Sequence, residues 1–135
     1  MYTGDDMFTD TVTLYNRFKD GGEDRWHRTV LTGVQVSTIA MMNTDTDGKI
    51  TNTEDISVTI PFVEGYVEPK RYVGRGFTFG LDNLDVLVVG EVRDEITEEF
   101  TISKLLRKYQ TAGTITEVND NTQRSLLKHW KVTAR

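Results

Sequence analysis

The stretch EDISVTIPF, residues 54–62, sets Ile56, Val58, Ile60 and Phe62 in alternation with Asp55, Ser57 and Thr59. Successive side chains of a strand point to opposite faces, so a period of two builds a strand with one buried face and does not suit a helix. Pro61 has no N–H to give a ladder and marks a strand edge or end. The same chemistry recurs along most of the chain. FTDTVTLYN, residues 8–16, is rich in threonine and β-formers, with Val12 and Leu14 on one face. After the turn signal KDGGED at 19–24, RWHRTVLTGVQVSTIAMM reads as one or two strands bent near Gly33. LDVLVVGEV, residues 84–92, is a continuous apolar run that suits a strand buried on both faces. TITEV and LLKHWKVTA close the chain as two strands around the turn NDNTQRS.

One segment has the helical period instead. In TISKLLRKYQTAG, residues 101–113, Ile102, Leu105, Leu106 and Tyr109 follow the i, i+3, i+4, i+7 spacing. Thr101 is placed to cap the start, Glu98 and Glu99 precede the positive end of the dipole, and Arg107 and Lys108 lie near the negative end. Gly113 is the expected stop for a helix at about 101–111. Six to eight strands with one packed helix predict a mainly β fold, a small β-barrel or sandwich. The size prior assigns residues 1–135 to one domain, with 1–6 as a loose extension.

Residues 63–83, VEGYVEPKRYVGRGFTFGLDN, hold no steady period and contain glycines, a proline and four aromatics. A loop this long is usually functional or is ordered by a partner. Tyr66 and Tyr72 are residue types that anchor interfaces, and Lys70, Arg71 and Arg75 suit acidic groups on a neighbouring copy. Phe77 and Phe79 can equally begin the next strand and serve the core.

NTDTDGKITNTE, residues 43–54, fits the register of a calcium loop, with Asn43, Asp45 and Asp47 at positions 1, 3 and 5, Gly48 at 6 and Glu54 at 12. An EF-hand needs a helix on each side, however, and both flanks have the strand pattern. Asn at position 1 also removes a carboxylate. The same residues are ordinary hairpin-loop chemistry, and a strand-joining loop without metal is the expectation.

The remaining chemistry is sparse. The chain has no cysteine, which rules out disulfides and thiolate metal sites and fits a reducing compartment. Its two histidines, His27 and His129, lie far apart in sequence. On a strand, His129 and Trp130 point to opposite faces, so one serves the core and the other the surface. GRGFTFG lacks the spacing of a phosphate cradle, and the acids of EVRDEITEE sit ahead of a helix, where acids are favoured anyway. No nucleophile stands with a base and an orienting acid, so neither catalysis nor a cofactor is expected. No apolar run is long enough to span a membrane, and the acidic start MYTGDDMFTD lacks the apolar core of a secretory signal.

The net charge of −5 hides an asymmetry: residues 1–66 carry −6 and residues 67–135 carry +1. An acidic face on one copy meeting a basic face on the next is one reading; a solvated basic end is the other. The sequence pI near 5.0 and the lack of a basic stripe argue against sequence-specific nucleic-acid binding.

Several stretches together resemble a family of small phage and prophage proteins encoded among the head–tail joining genes. They are MFTDTVTLYN (7–16), Trp26 with TVLTGVQV (29–36), GKITNTEDISVTIP (48–61), FTFGLDNLDVLVVGEV (77–92) and ITEVNDNTQRSLLKHWKV (115–132). Residues 38–46 and 80–84 depart from that pattern. The resemblance implies a head-completion, or stopper, protein: a small β-barrel forming a ring in the virion neck between portal or adaptor and tail. Its implied partners are copies of itself, portal, adaptor and tail proteins, and packaged DNA in the lumen without sequence specificity. A tail terminator or another neck protein is the near alternative. A free-standing β-domain binding calcium at 43–54, or a ligand at 63–83, is the alternative from a different class.

Overall fold

The computed structural model describes residues 8–44, 46–48, 50–81, 84–123 and 128–135, with the side chains of 39–44 and 50–54 left undescribed. The expected extension at 1–6 and parts of the turn at 119–125 lie outside the described residues. Six strands and one helix run in chain order: β1 (Asp10–Asp20), β2 (Glu23–Thr44), β3 (Ile50–Pro61), β4 (Val86–Val89), α1 (Ile102–Lys108), β5 (Ala112–Asp120) and β6 (His129–Ala134). The strands close into a barrel in the order β1-β2-β3-β6-β5-β4, with every pairing antiparallel. Of the two expected architectures, barrel and sandwich, the chain forms the barrel.

Alternation decides what each strand buries. Val12 and Leu14 of β1, Leu31 and Val34 of β2, Ile56, Val58 and Ile60 of β3, Leu87 of β4, Ile115 of β5, and Trp130, Val132 and Ala134 of β6 all enter one core. The alternate residues of β1 and β4 face outward and are buried as well. Tyr15, Val86 and Val88 form a second cluster with Val92 and Leu105, which α1 covers. That is why LDVLVVGEV has no polar alternation: Leu87 serves the barrel, and its neighbours serve the helix face. Trp130 is buried and His129 half-buried, as opposite strand faces require.

The expected bend near Gly33 is a bulge within one continuous strand. The β1–β2 register shifts between Asp10↔Val34 and Thr11↔Thr32, leaving Gly33 as the extra residue at φ +68°. Glycine adopts that conformation without the strain a Cβ brings. Asp10 then accepts a hydrogen bond from the Val36 N–H at 2.9 Å.

The helix starts as expected and ends early. The Thr101 hydroxyl accepts from the Lys104 N–H, but Lys108 is the last helical residue and Tyr109 is extended. Gly113 is not the stop. It lies inside β5, where an added Cβ would meet the Arg135 backbone at 2.9 Å. Tyr109 leaves the helix because its hydroxyl reaches the Asp94 carboxylate at 2.5 Å, a carboxylate that Lys108 also meets at 3.0 Å. The Tyr15 hydroxyl donates to the Asp94 carbonyl, so residues 92–96 are tied to both the barrel and the helix.

Candidate assembly surfaces

Three surface features stand out against this barrel. The first is a ribbon formed by β2 and β3. β1 pairs with β2 only as far as Val34, and β6 pairs with β3 only over Ile56–Pro61. From Ile39↔Asp55 to Thr44↔Ile50 the two strands have only each other as strand partners among the described residues. At about 3.4 Å per residue this ribbon runs roughly 17 Å. Of the stretch 43–54 expected as a loop, Asn43 and Thr44 end β2 and Ile50–Glu54 begin β3, so the connection between the two strands is only residues 45–49. Asp45 lies outside the described residues, as do the side chains of Asn43, Thr51 and Glu54. Among the described residues no three His, Asp or Glu side chains gather as a metal site would require.

The second feature is the segment 63–81, and here the structure redistributes the expected roles. Tyr66 is half-buried, forms an isolated bridge with Phe77, and stacks at 4.9 Å from Trp130 and 5.6 Å from Phe79. Phe77 and Phe79 belong to the core, where the rings of Tyr66, Phe77, Phe79 and Trp130 pack against one another. Tyr72 is 9% exposed and meets the Phe18 ring edge-on at 6.3 Å. Burial pushes the Tyr72 hydroxyl up to about 12, with the Asp85 charge adding to it, and burial likewise raises Tyr66. Tyr72 thus buries its ring within its own chain, and Tyr66 half-buries its ring against the aromatic core. The exposed charges are mixed: Glu64 and Glu68 come first, and the cations follow. Pro69–Arg71 form a short 3-10 turn, and Lys70, Arg71 and Arg75 are all exposed around Val73, which is 72% exposed.

This loop is held stiffly. The Tyr72 hydroxyl donates to the Gly76 carbonyl at 3.1 Å, the Val67 N–H donates to the Phe77 carbonyl at 2.8 Å, and the Phe77 N–H donates to the Gly65 carbonyl at 3.0 Å. Gly74 sits against the Phe18 ring, where a Cβ would come within 2.7 Å, and Gly76 lies against the Gly65 carbonyl, where a Cβ would come within 2.3 Å. Behind it stands a buried polar knot. The Asp85 carboxylate, 0% exposed, accepts from Asn16 Nδ2 at 2.8 Å, from Arg17 N at 2.9 Å and from Gly80 N at 2.9 Å. Burial holds the Asp85 carboxyl above its ordinary range, and the three hydrogen bonds oppose that shift. Asn16 also brackets Thr78, donating to its carbonyl and accepting from its N–H.

The third feature is a groove of about 400 Å³ between the β1–β2 hairpin and the segment leading into α1. Trp26, Ile96 and Ile102 are among its lining residues, with Glu23, Asp24, Arg25, Glu98 and Thr101 at the sides. A second hollow of about 340 Å³ shares Asp24, Trp26 and Ile102 and continues toward Leu84 and Leu106. Sequence reasoning did not find this groove. The one hint was Trp26, a large apolar side chain within the polar run DRWHRT.

Residues 7–135 match a protein family described as a family of unknown function (DUF6751). No curated protein and no solved structure gives a significant match.

Proposed function

We propose that this chain, which belongs to the family of unknown function DUF6751, is a structural subunit of a tailed-phage neck, forming a ring between the portal or adaptor and the tail. The observation that carries this reading is the β2–β3 ribbon. A two-stranded ribbon is marginal in water by itself, and unpaired strand edges invite a partner chain. A barrel that extends such a ribbon has a means of reaching a neighbouring subunit. The resemblance of residues 7–16, 26, 29–36, 48–61, 77–92 and 115–132 to head–tail joining proteins supplies the setting. The role is non-catalytic and needs no cofactor, and the protein resides in the virion. Among the described residues no helix is long and apolar enough to cross a membrane.

The test replaces Ala40–Glu54 with an Asn-Gly turn, which keeps the Ile39↔Asp55 pair and suits a two-residue hairpin. The shortened barrel is expected to fold, with a β-type circular dichroism spectrum and a cooperative melt. In the phage or prophage that encodes it, the variant should yield heads that lose DNA or fail to join tails. Full complementation by the shortened chain would remove the ribbon from the assembly and the main support for the reading. Labelling the protein in purified particles separates stopper from tail terminator, since the two occupy different layers of the neck.

A further inference from the structure

We infer, building on the ring reading above, that successive copies of this chain join by strand addition. Thr38–Met42 of β2 in one copy pairs antiparallel with Thr116–Asp120 of β5 in the next.

Both strands are edges of the same sheet. β2, β3, β6 and β5 run side by side within the barrel, and the two outer strands lose their other partners partway. β2 leaves β1 at Val34, and β5 pairs with β4 only over Ala112–Thr114. Beyond those points neither has an outer strand partner among the described residues. Gln35–Thr44 contains no charge and no proline, the devices that keep a free edge from pairing. On β5, Thr116, Glu117, Asn119 and Asp120 are exposed, and Val118 is only half-buried against the core. A strand laid beside β5 would complete that burial.

Backbone directions on the two edges match. The Val36 N–H reaches Asp10 of β1 at 2.9 Å, so it points away from β3. Directions alternate along a strand, and the N–H groups of Thr38, Ala40 and Met42 therefore point outward too. The Asn121 N–H donates to the His129 carbonyl at 2.9 Å, toward β6, which turns those of Val118 and Asp120 outward. Asp10 already occupies Val36, so an added strand must stop at Thr38, and β5 ends at Asp120. This sets Thr38 opposite Asp120 and Ala40 opposite Val118.

Strand count selects a head-to-tail neighbour. All pairings across the four strands are antiparallel, so β2 and β5 run in opposite directions. A second copy in the same orientation thus brings its β2 antiparallel to β5 without inversion, and the contact repeats until it closes into a ring. Pairing β5 with itself would bring Glu117 and Asp120 of both copies together, and like charges across strands repel. Pairing β2 with itself stops at a dimer and leaves β5 bare.

Because the chain has no cysteine, Thr38→Cys and Asp120→Cys report the contact directly. Opposed residues of this kind have Cα atoms about 5.5 Å apart, within disulfide reach. Within one copy β3 and β6 stand between them, so no internal bridge forms. The double variant should give a disulfide-linked ladder on mild oxidation, both in concentrated protein and in purified particles. The two single variants should cross-link when mixed and not when alone. Adding Ala40→Pro to the double variant removes an outward N–H only, so the ladder should vanish while the cooperative melt remains. A dimer from Thr38→Cys alone, or a ladder that survives the proline, would overturn the strand addition. Rings seen by electron microscopy in which 38 never links to 120 would overturn it while leaving the ring reading intact. A chain that stays monomeric in solution and is absent from purified particles would remove both.

Discussion

At the scale of single residues, the buried polar groups are the sharpest test of the structure. Asp85 accepts three hydrogen bonds, two of them from the backbone amides of Arg17 and Gly80. Asp85→Asn keeps the size but turns an NH2 toward at least one backbone donor, so it should cost about 1–3 kcal/mol in urea unfolding. A variant as stable as wild type would mean that the carboxylate does not organise this corner. Glycines also differ in what surrounds them: Gly21 sits in the β1–β2 turn and Gly76 in the 63–81 loop. Gly21 and Gly76 both have positive φ, but only at Gly76 would a Cβ strike backbone, the Gly65 carbonyl. Gly76→Ala should therefore lower the melting temperature clearly more than Gly21→Ala, and equal shifts would mean that φ alone sets the cost. Tyr72 shows the limit of reading residue type. Aromatic character in a glycine-rich loop suits an interface and a core alike, and only its contact with Phe18 assigns the ring to the fold.

At the scale of elements, α1 is too short to persist alone, because a helix of this length does not recover its nucleation cost in water. It is held by Leu105 in the second cluster, by half-buried Ile102, Leu106 and Tyr109, and by the Asp94 contacts of Lys108 and Tyr109. Leu105→Ala should cost roughly 2–5 kcal/mol, as for other buried leucines. Exposed Lys104→Ala should change stability little. Equal small effects at both positions in denaturant unfolding would mean that the helix is not docked. The β2–β3 ribbon carries a different expectation. Its loop joins strands, so millimolar calcium or EDTA should leave the melting temperature unchanged, whereas a site filled at a hundred times its Kd would add about 2.7 kcal/mol. A calcium-dependent shift that disappears in Asp45→Ala with Glu54→Ala would restore the metal reading.

At the scale of the whole molecule, closure depends on a few long-range ties whose charges set the acid response. Arg135 grips Asp55 through Nε at 2.8 Å and Nη2 at 3.0 Å, and this holds the Asp55 carboxyl below its ordinary value of 3.8. Tyr109 and Lys108 lower Asp94 in the same sense. For both groups the unfolded chain binds protons first, so the stability they contribute is present above 3.8 and is lost as pH falls below it. Asp85 acts oppositely: burial raises its carboxyl, so its contribution declines as pH rises from 3.8 through its folded value. Asp55→Asn and Asp94→Asn should each flatten the fall of melting temperature on acidification, and an unchanged slope would show that neither pair tightens the fold. The period-two stretches of β1, β2 and β3, the apolar run of β4 and the Thr101 cap were all legible in the sequence, because periodicity and capping are local and need only the neighbouring residues. The end of α1 was not legible, since Tyr109 leaves the helix for Asp94 and Gly113 is taken into β5. Nor were the burial of Tyr72, the groove beside Trp26 and the choice of barrel over sandwich. Alternation tells which face of a strand is apolar, but what covers that face is decided by chain segments remote in sequence, and they meet only when the barrel closes.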